Sequence, residues 1–150
     1  LGTGFAIANE TILLYSNEFY NLLLLGVPIG LLTTNILFIN QYPDYASDKK
    51  VGKNHLVVLL GKKASRWIYA LNLILALGSL YFIAENILTG TKQMLFLYLL
   101  IPITMFYSYY LLSGLFKYYN SRKLIKYNIH TIYFHMFFSF IYMIILANFQ

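Results

Sequence analysis

The sequence predicts an all-α integral membrane protein, a bundle of about five hydrophobic transmembrane helices. Hydrophobic residues make up 59% of the 150 residues and charged residues only 11%, whereas soluble domains carry about 25% charged residues. The uncharged stretches are also long, since residues 21–39 hold no charge and about 20 apolar residues suffice to cross a hydrocarbon core. So little polar surface could not cover a water-soluble globule.

Five segments fit membrane-spanning helices, and one polar loop separates the second from the third. The spans are predicted over residues 1–17, 21–41, 67–84, 93–116 and 127–149, with the loop over 42–66. Asn9 and Glu10 interrupt the first span. An ionisable residue inside a span usually faces the bundle interior, so Glu10 is a candidate for the wall of a substrate cavity.

The positive charges alternate between connections, which predicts an orientation. Residues 42–66 carry many cations against two acids, and residues 117–126 carry cations and no acid; the cations are Lys49, Lys50, Lys53, Lys62, Lys63, Arg66, Lys117, Arg122, Lys123 and Lys126. The intervening connections hold Glu18, and Glu85 with Lys92. By the positive-inside rule, 42–66 and 117–126 are expected in the cytoplasm, with the plasma membrane of a prokaryote as the expected location. The net charge of +6 is therefore interpreted as topological, with no nucleic acid partner.

The polar loop contains the residues with the clearest chemical signature. Asn40, Asp44 and Asp48 are spaced four residues apart, so on a helix successive members turn by only about 40° and project to one side. Carboxylate and amide oxygens are the hard ligands that Mg²⁺ takes together with substrate phosphates. Lys49 and Lys53 follow closely and suit a diphosphate. The alternative interpretation of these charges is a solvated surface that only sets topology.

Since the chain has no cysteine, disulfides and thiolate metal sites are excluded.

The stretch from Ile36 to Gly61 adds a more specific signal. Its residues ILFINQYPDYASDKKVGKNHLVVLLG resemble the second aspartate-rich motif of the UbiA superfamily of intramembrane prenyltransferases. Within that superfamily they are most similar to the branch that prenylates 1,4-dihydroxy-2-naphthoate in menaquinone biosynthesis. The matching positions are Asn40, Asp44, Asp48, Gly52, Lys53, Leu56, Val57, Val58, Leu60 and Gly61.

The resemblance implies a fold of about nine transmembrane helices, of which this chain would supply helices five to nine. It also implies transfer of a polyprenyl group from a prenyl diphosphate to an aromatic acceptor within the lipid bilayer. Asp44 and Asp48 would be catalytic and would bind Mg²⁺ with Asn40, while Asn40, Lys49 and Lys53 would contact the diphosphate. Because a first aspartate-rich motif is expected on the preceding helices, the chain is expected to be a C-terminal part that is inactive alone.

Several alternatives stay open at this point. Other UbiA acceptors are 4-hydroxybenzoate, homogentisate, haem, a chlorophyllide and a glycerol phosphate lipid. A second class of protein is a transporter or channel segment with Asp44 and Asp48 at a cation entry, although transporters usually bind near the bilayer midplane. A third is a membrane scaffold without catalysis.

Overall fold

Four long helices form the fold of the computed structural model, which describes residues 17–88 and 90–147. We number them α1 (Asn17–Lys50), α2 (Leu56–Asn86), α3 (Thr91–Tyr118) and α4 (Leu124–Ala147). Each is long and apolar enough to cross a membrane, and the described residues contain no strand. The predicted all-α membrane bundle is therefore confirmed. Glu10 and nearly all of the first predicted span lie outside the described residues.

The helices extend further than the apolar spans from which they were predicted. Most of the polar stretch expected as a loop over 42–66 is helical, because α1 runs to Lys50 and α2 begins at Leu56. Within α2, Gly61 is a non-helical kink. Ala46 and the two lysines that end α1 are good helix formers, so backbone hydrogen bonding continues after hydrophobicity ends. The location of the membrane boundaries along these helices stays a prediction.

The helices pack as a closed ring in which each one contacts its two neighbours: α1 with α2, α2 with α3, α3 with α4, and α4 with α1. Leucine and aromatic side chains fill the centre, among them Leu73, Leu97 and Phe138. The outward faces are apolar as well, with Phe106 77% exposed. A soluble protein rarely exposes such a continuous apolar surface, so we assign these faces to lipid.

Polar side chains join the helices inside this apolar bundle. Asn72 of α2 donates to Asn35 of α1 (2.9 Å), and Asn35 donates to the Tyr69 carbonyl (3.2 Å). The Tyr69 hydroxyl in turn bonds that of Thr131 on α4 (2.9 Å). Such interhelical bonds contribute roughly 0.6–2 kcal/mol each within a membrane. They fix the rotation of α1 about its axis and hence the direction in which its polar end faces.

The closest approach of α3 and α4 depends on Gly114. An added Cβ would overlap the Tyr127 ring, which cannot swing away freely because it packs between the rings of Tyr110 and Tyr118. We expect Gly114→Ala to lose about 1–3 kcal/mol through overpacking, offset by at most about 1 kcal/mol of gained helix propensity. The measurement is the apparent melting temperature of the purified protein in detergent.

Gly78→Ala is the matched control, since an added Cβ at this helical glycine meets no atom within 4 Å. It should melt at or slightly above the wild-type temperature. If Gly114→Ala melts no lower than Gly78→Ala, the proposed packing of α3 on α4 is wrong.

Candidate functional site

The three predicted ligand residues lie on the last turns of α1. Because α1 is helical through Lys50, Asn40, Asp44 and Asp48 project to one side of it, as their spacing predicts. Asn40 and Asp44 are exposed, whereas Asp48 is only 8% exposed. The first two residues of this face are therefore accessible to solvent, and the third, Asp48, is buried by surrounding protein.

A glycine turn ends α1 and folds the chain back over Asp48. The Lys53 amide donates to the Asp48 carbonyl (3.0 Å), and the Gly52 amide donates to the Lys49 carbonyl (3.3 Å). This is the bond pattern of a Schellman motif, which needs a left-handed residue at its centre. Gly52 supplies it with a φ of 75°. The turn brings the Lys53 side chain back to the helix that it has just left.

Asp48 binds two side chains through its two oxygens. Lys53 Nζ lies 2.7 Å from Oδ1 and His55 Nε2 lies 2.8 Å from Oδ2. The hydrogen bond from Lys53 to Asp48 and the negative charge of that carboxylate raise the pKa of Lys53. Lys53 therefore stays protonated, and because its side chain is 62% exposed, its remaining N–H groups can reach a ligand.

His55 is a site residue to which the sequence analysis assigned no role. It is the N-cap of α2, and its Nδ1 accepts a hydrogen bond from the Val58 amide (3.3 Å). One neutral tautomer satisfies both contacts, because Nδ1 accepts while Nε2–H donates to Asp48. Histidine is not one of the residues that mark a helix start, which are Ser, Thr, Asp and Asn, so no sequence signal identifies His55 as a cap. Its contact with Asp48 depends on the turn.

Asn40 is bonded to a residue of α4. Asn128 Nδ2 donates to Asn40 Oδ1 (3.3 Å) from a residue that is only 8% exposed. The Asn128 Oδ1 is buried without a hydrogen-bond partner. Asn128 is thus a second neighbour of the site that sequence reasoning missed.

No side-chain hydrogen bond or ion pair in the described part of the chain joins Asp44 or Lys49 to Asp48 or Asn40. Asp44 is exposed, and Lys49 is exposed with Nζ 5.8 Å from the centre of the Tyr45 ring. Asp44 is therefore accessible to a ligand from outside the bundle. Lys53 is the only predicted diphosphate contact that the described residues show engaged with a predicted metal ligand.

The donor set suits a hard divalent cation. Asn40, Asp44 and Asp48 offer amide and carboxylate oxygens, which are the ligands that Mg²⁺ prefers. Each Asp48 oxygen makes one bond to a protein donor, which leaves lone pairs on both. Among the described residues, no group of three or more His, Asp or Glu side chains is arranged to hold a metal ion. Any cation bound here would take few protein ligands and the rest from its substrate or water.

These features define a class: a helical membrane protein with carboxylate and amide oxygens and lysines together at the end of one long apolar helix. The sequence model of the UbiA prenyltransferase family matches residues 2–145. The chain therefore belongs to the UbiA prenyltransferase family, whose members are transferases that generally use a divalent metal. No curated protein and no solved structure matches the chain.

The double role of His55 can be separated by substitution. We expect His55→Ala to lose the cap of α2, at about 0.5–2 kcal/mol, whereas His55→Asn should keep the cap because asparagine is a good N-cap residue. Both variants lose the bond to Asp48. Hydrogen exchange of the peptide that contains Val58 and Leu59 should be faster in His55→Ala than in His55→Asn. Equal exchange in wild type and His55→Ala would contradict the capping role.

Proposed function

We propose that the protein transfers a polyprenyl group from a prenyl diphosphate to an aromatic ring, with 1,4-dihydroxy-2-naphthoate as the acceptor. The observation that carries the proposal is the arrangement at the end of α1, where exposed Asp44 shares a helix face with Asp48, and Lys53 is bonded to Asp48 (2.7 Å). This arrangement suits a substrate that carries several negative charges and arrives with a cation. A prenyl diphosphate has both properties and also a tail that dissolves in lipid.

Asn40, Asp44 and Asp48 would hold Mg²⁺, and Lys49 and Lys53 would contact the diphosphate oxygens. When bound, Mg²⁺ would neutralise negative charge on the departing diphosphate. Lys53 is suited to its role because one N–H group binds Asp48 while the exposed ammonium keeps others for phosphate. His55 would act as a positioning residue, since it holds the second Asp48 oxygen at 2.8 Å.

In the reaction, the bond between the allylic carbon and the diphosphate oxygen breaks, and its electron pair leaves with the diphosphate. A carbon of the electron-rich ring then bonds to the allylic carbon and gives up its proton. Positive charge at Lys49 and Lys53 stabilises the charge that develops on the leaving group. Water must be excluded from the allylic cation, and a site at the end of apolar helices favours that exclusion.

The choice of acceptor rests on the motif rather than on a contact. Pro43-Asp44 and the segment Gly52–Gly61 are the parts of the sequence most similar to the naphthoate branch. Both glycines adopt a positive φ, 75° at Gly52 and 78° at Gly61, so the motif requires glycine for backbone reasons at these two places. We further propose that 42–66 and 117–126 face the cytoplasm of a prokaryotic cell, as their cations favour.

Asp44 is the residue whose substitution tests the site most directly. Asp44→Asn keeps the shape of the side chain and removes its charge, so we expect prenyl transfer to fall by about 100-fold or more. The assay uses the intact natural protein in membranes, with labelled prenyl diphosphate, 1,4-dihydroxy-2-naphthoate and Mg²⁺. Glu85→Gln is the matched control, because it makes the same change at the opposite end of the bundle and should retain wild-type activity. A wild-type rate in Asp44→Asn would refute the assignment.

Metal removal tests cofactor and acceptor together. A chelator should abolish formation of the prenylated acceptor, and added Mg²⁺ should restore it. Prenyl diphosphate at 100 times its dissociation constant should also stabilise the protein by about 2.7 kcal/mol when Mg²⁺ is present. If another aromatic ring is prenylated and the naphthoate is not, the proposed acceptor is wrong and the proposed reaction stands. Absence of both transfer and binding would reject the enzyme.

A further inference from the structure

A polar cavity, separate from the face of Asp44 and Asp48, lies at the same end of the bundle as the glycine turn. It has a volume of about 340 Å³ and lies among α1, α2, the turn between α3 and α4, and the start of α4. Tyr42, Lys62, Asn120, Ser121 and Arg122 contribute to its wall, and neither Asp44 nor Asp48 does. Small-molecule sites measure about 300–1,000 Å³, so this cavity is large enough for one small polar group.

Tyr42 lines this cavity and carries a buried hydroxyl without a hydrogen-bond partner in the described part of the chain. The side chain is 0% exposed and its hydroxyl has no hydrogen-bond partner among the described residues. The nearby Ser65 hydroxyl donates to the Gly61 carbonyl (2.7 Å). Buried hydroxyls are nearly always bonded. An unbonded one in a cavity wall therefore points to a ligand that accepts a hydrogen bond.

The charge of the cavity identifies the acceptor as an anion. Lys62 and Arg122 line it, and in the described residues neither has a carboxylate within 4.0 Å, since the only ion pairs there join Asp48 to Lys53 and His55. Arg66 lies nearby, with its guanidinium 4.2 Å from the centre of the Tyr119 ring and bonded to the Phe116 carbonyl (3.1 Å). Asn120 and Ser121 add polar side chains at the rim.

We propose that this cavity binds a phosphate group, carried by an anionic membrane lipid or free in solution. Lys62 and Arg122 would neutralise the phosphate, and the Tyr42 hydroxyl would donate a hydrogen bond to it. The wall carries no carboxylate, so the site needs no divalent cation. In this it differs from the face of Asp44 and Asp48, and the inference does not depend on the proposed reaction.

Binding to the intact natural protein tests the proposal in the presence of a chelator, which keeps the metal-dependent face out of the measurement. The probes are phosphatidylglycerol, zwitterionic phosphatidylcholine and inorganic phosphate, with chloride as the salt control. The readouts are the rise in apparent melting temperature and the lipid retained in native mass spectrometry. We expect phosphatidylglycerol or phosphate to bind, and Tyr42→Phe and Arg122→Gln each to weaken that binding by about tenfold.

Lys92→Gln serves as a control, because it removes a cation at the opposite end of the bundle and should bind as wild type does. Binding of phosphatidylglycerol alone would identify a lipid headgroup, and binding of inorganic phosphate would identify a free anion. The proposal is overturned if neither probe binds, or if Tyr42→Phe and Arg122→Gln both bind as tightly as Lys92→Gln.

Discussion

The carboxylate of Asp48 connects the end of one membrane helix to the start of the next. Through Lys53 it holds the turn that follows α1, and through His55 it holds the residue that caps α2. Its side chain is only 12% exposed whereas that of Lys53 is 62% exposed, so the pair is shielded from water on the carboxylate side alone. If Asp48 were released, the turn, the cap and the position of Lys53 would all lose their common anchor. The same residue is thus both a structural connection and a proposed ligand.

Two glycines make this connection possible. Gly52 ends α1 in a left-handed turn, and Gly61, with φ 78° and ψ 152°, interrupts α2 in a region that is open almost only to glycine. The short helical segment between His55 and Gly61 can therefore take a direction of its own before α2 crosses the membrane. The spacing of the motif reflects this backbone path as well as the chemistry of its acids.

Hydrophobicity and spacing predicted much of this fold. The four described helices contain the second, third and fourth predicted spans and residues 127–147 of the fifth, because long uncharged runs have few alternatives to a membrane helix. The common face of Asn40, Asp44 and Asp48 could be predicted because it depends only on helical periodicity. The prediction of a loop over residues 42–50 is wrong, because this stretch is helical. Hydropathy marks where a membrane segment ends and not where backbone hydrogen bonding ends.

Long-range neighbours could not be predicted in the same way. Asn128 bonds Asn40 from 88 positions away, and this pairing depends on how α4 packs against α1. The bond of His55 to Asp48 depends on the left-handed conformation of a single glycine between them. The cavity beside Tyr42 needs four separate elements to form its wall. No local pattern encodes these contacts, because each one arises only when the helices have packed.

Charge balance at this end of the bundle favours anions in two separate places. In the described part of the chain, Asp48 is compensated by Lys53, and Asp44 has no ion pair. Lys49, Lys50, Lys62, Lys63 and Arg66 leave a clear excess of positive charge on the same connection. Such a surface raises the local concentration of anions before any specific contact forms. The exposed acid then distinguishes the two proposed sites: beside Asp44 an anion would bind together with a cation, whereas beside Tyr42 and Arg122 it would need none.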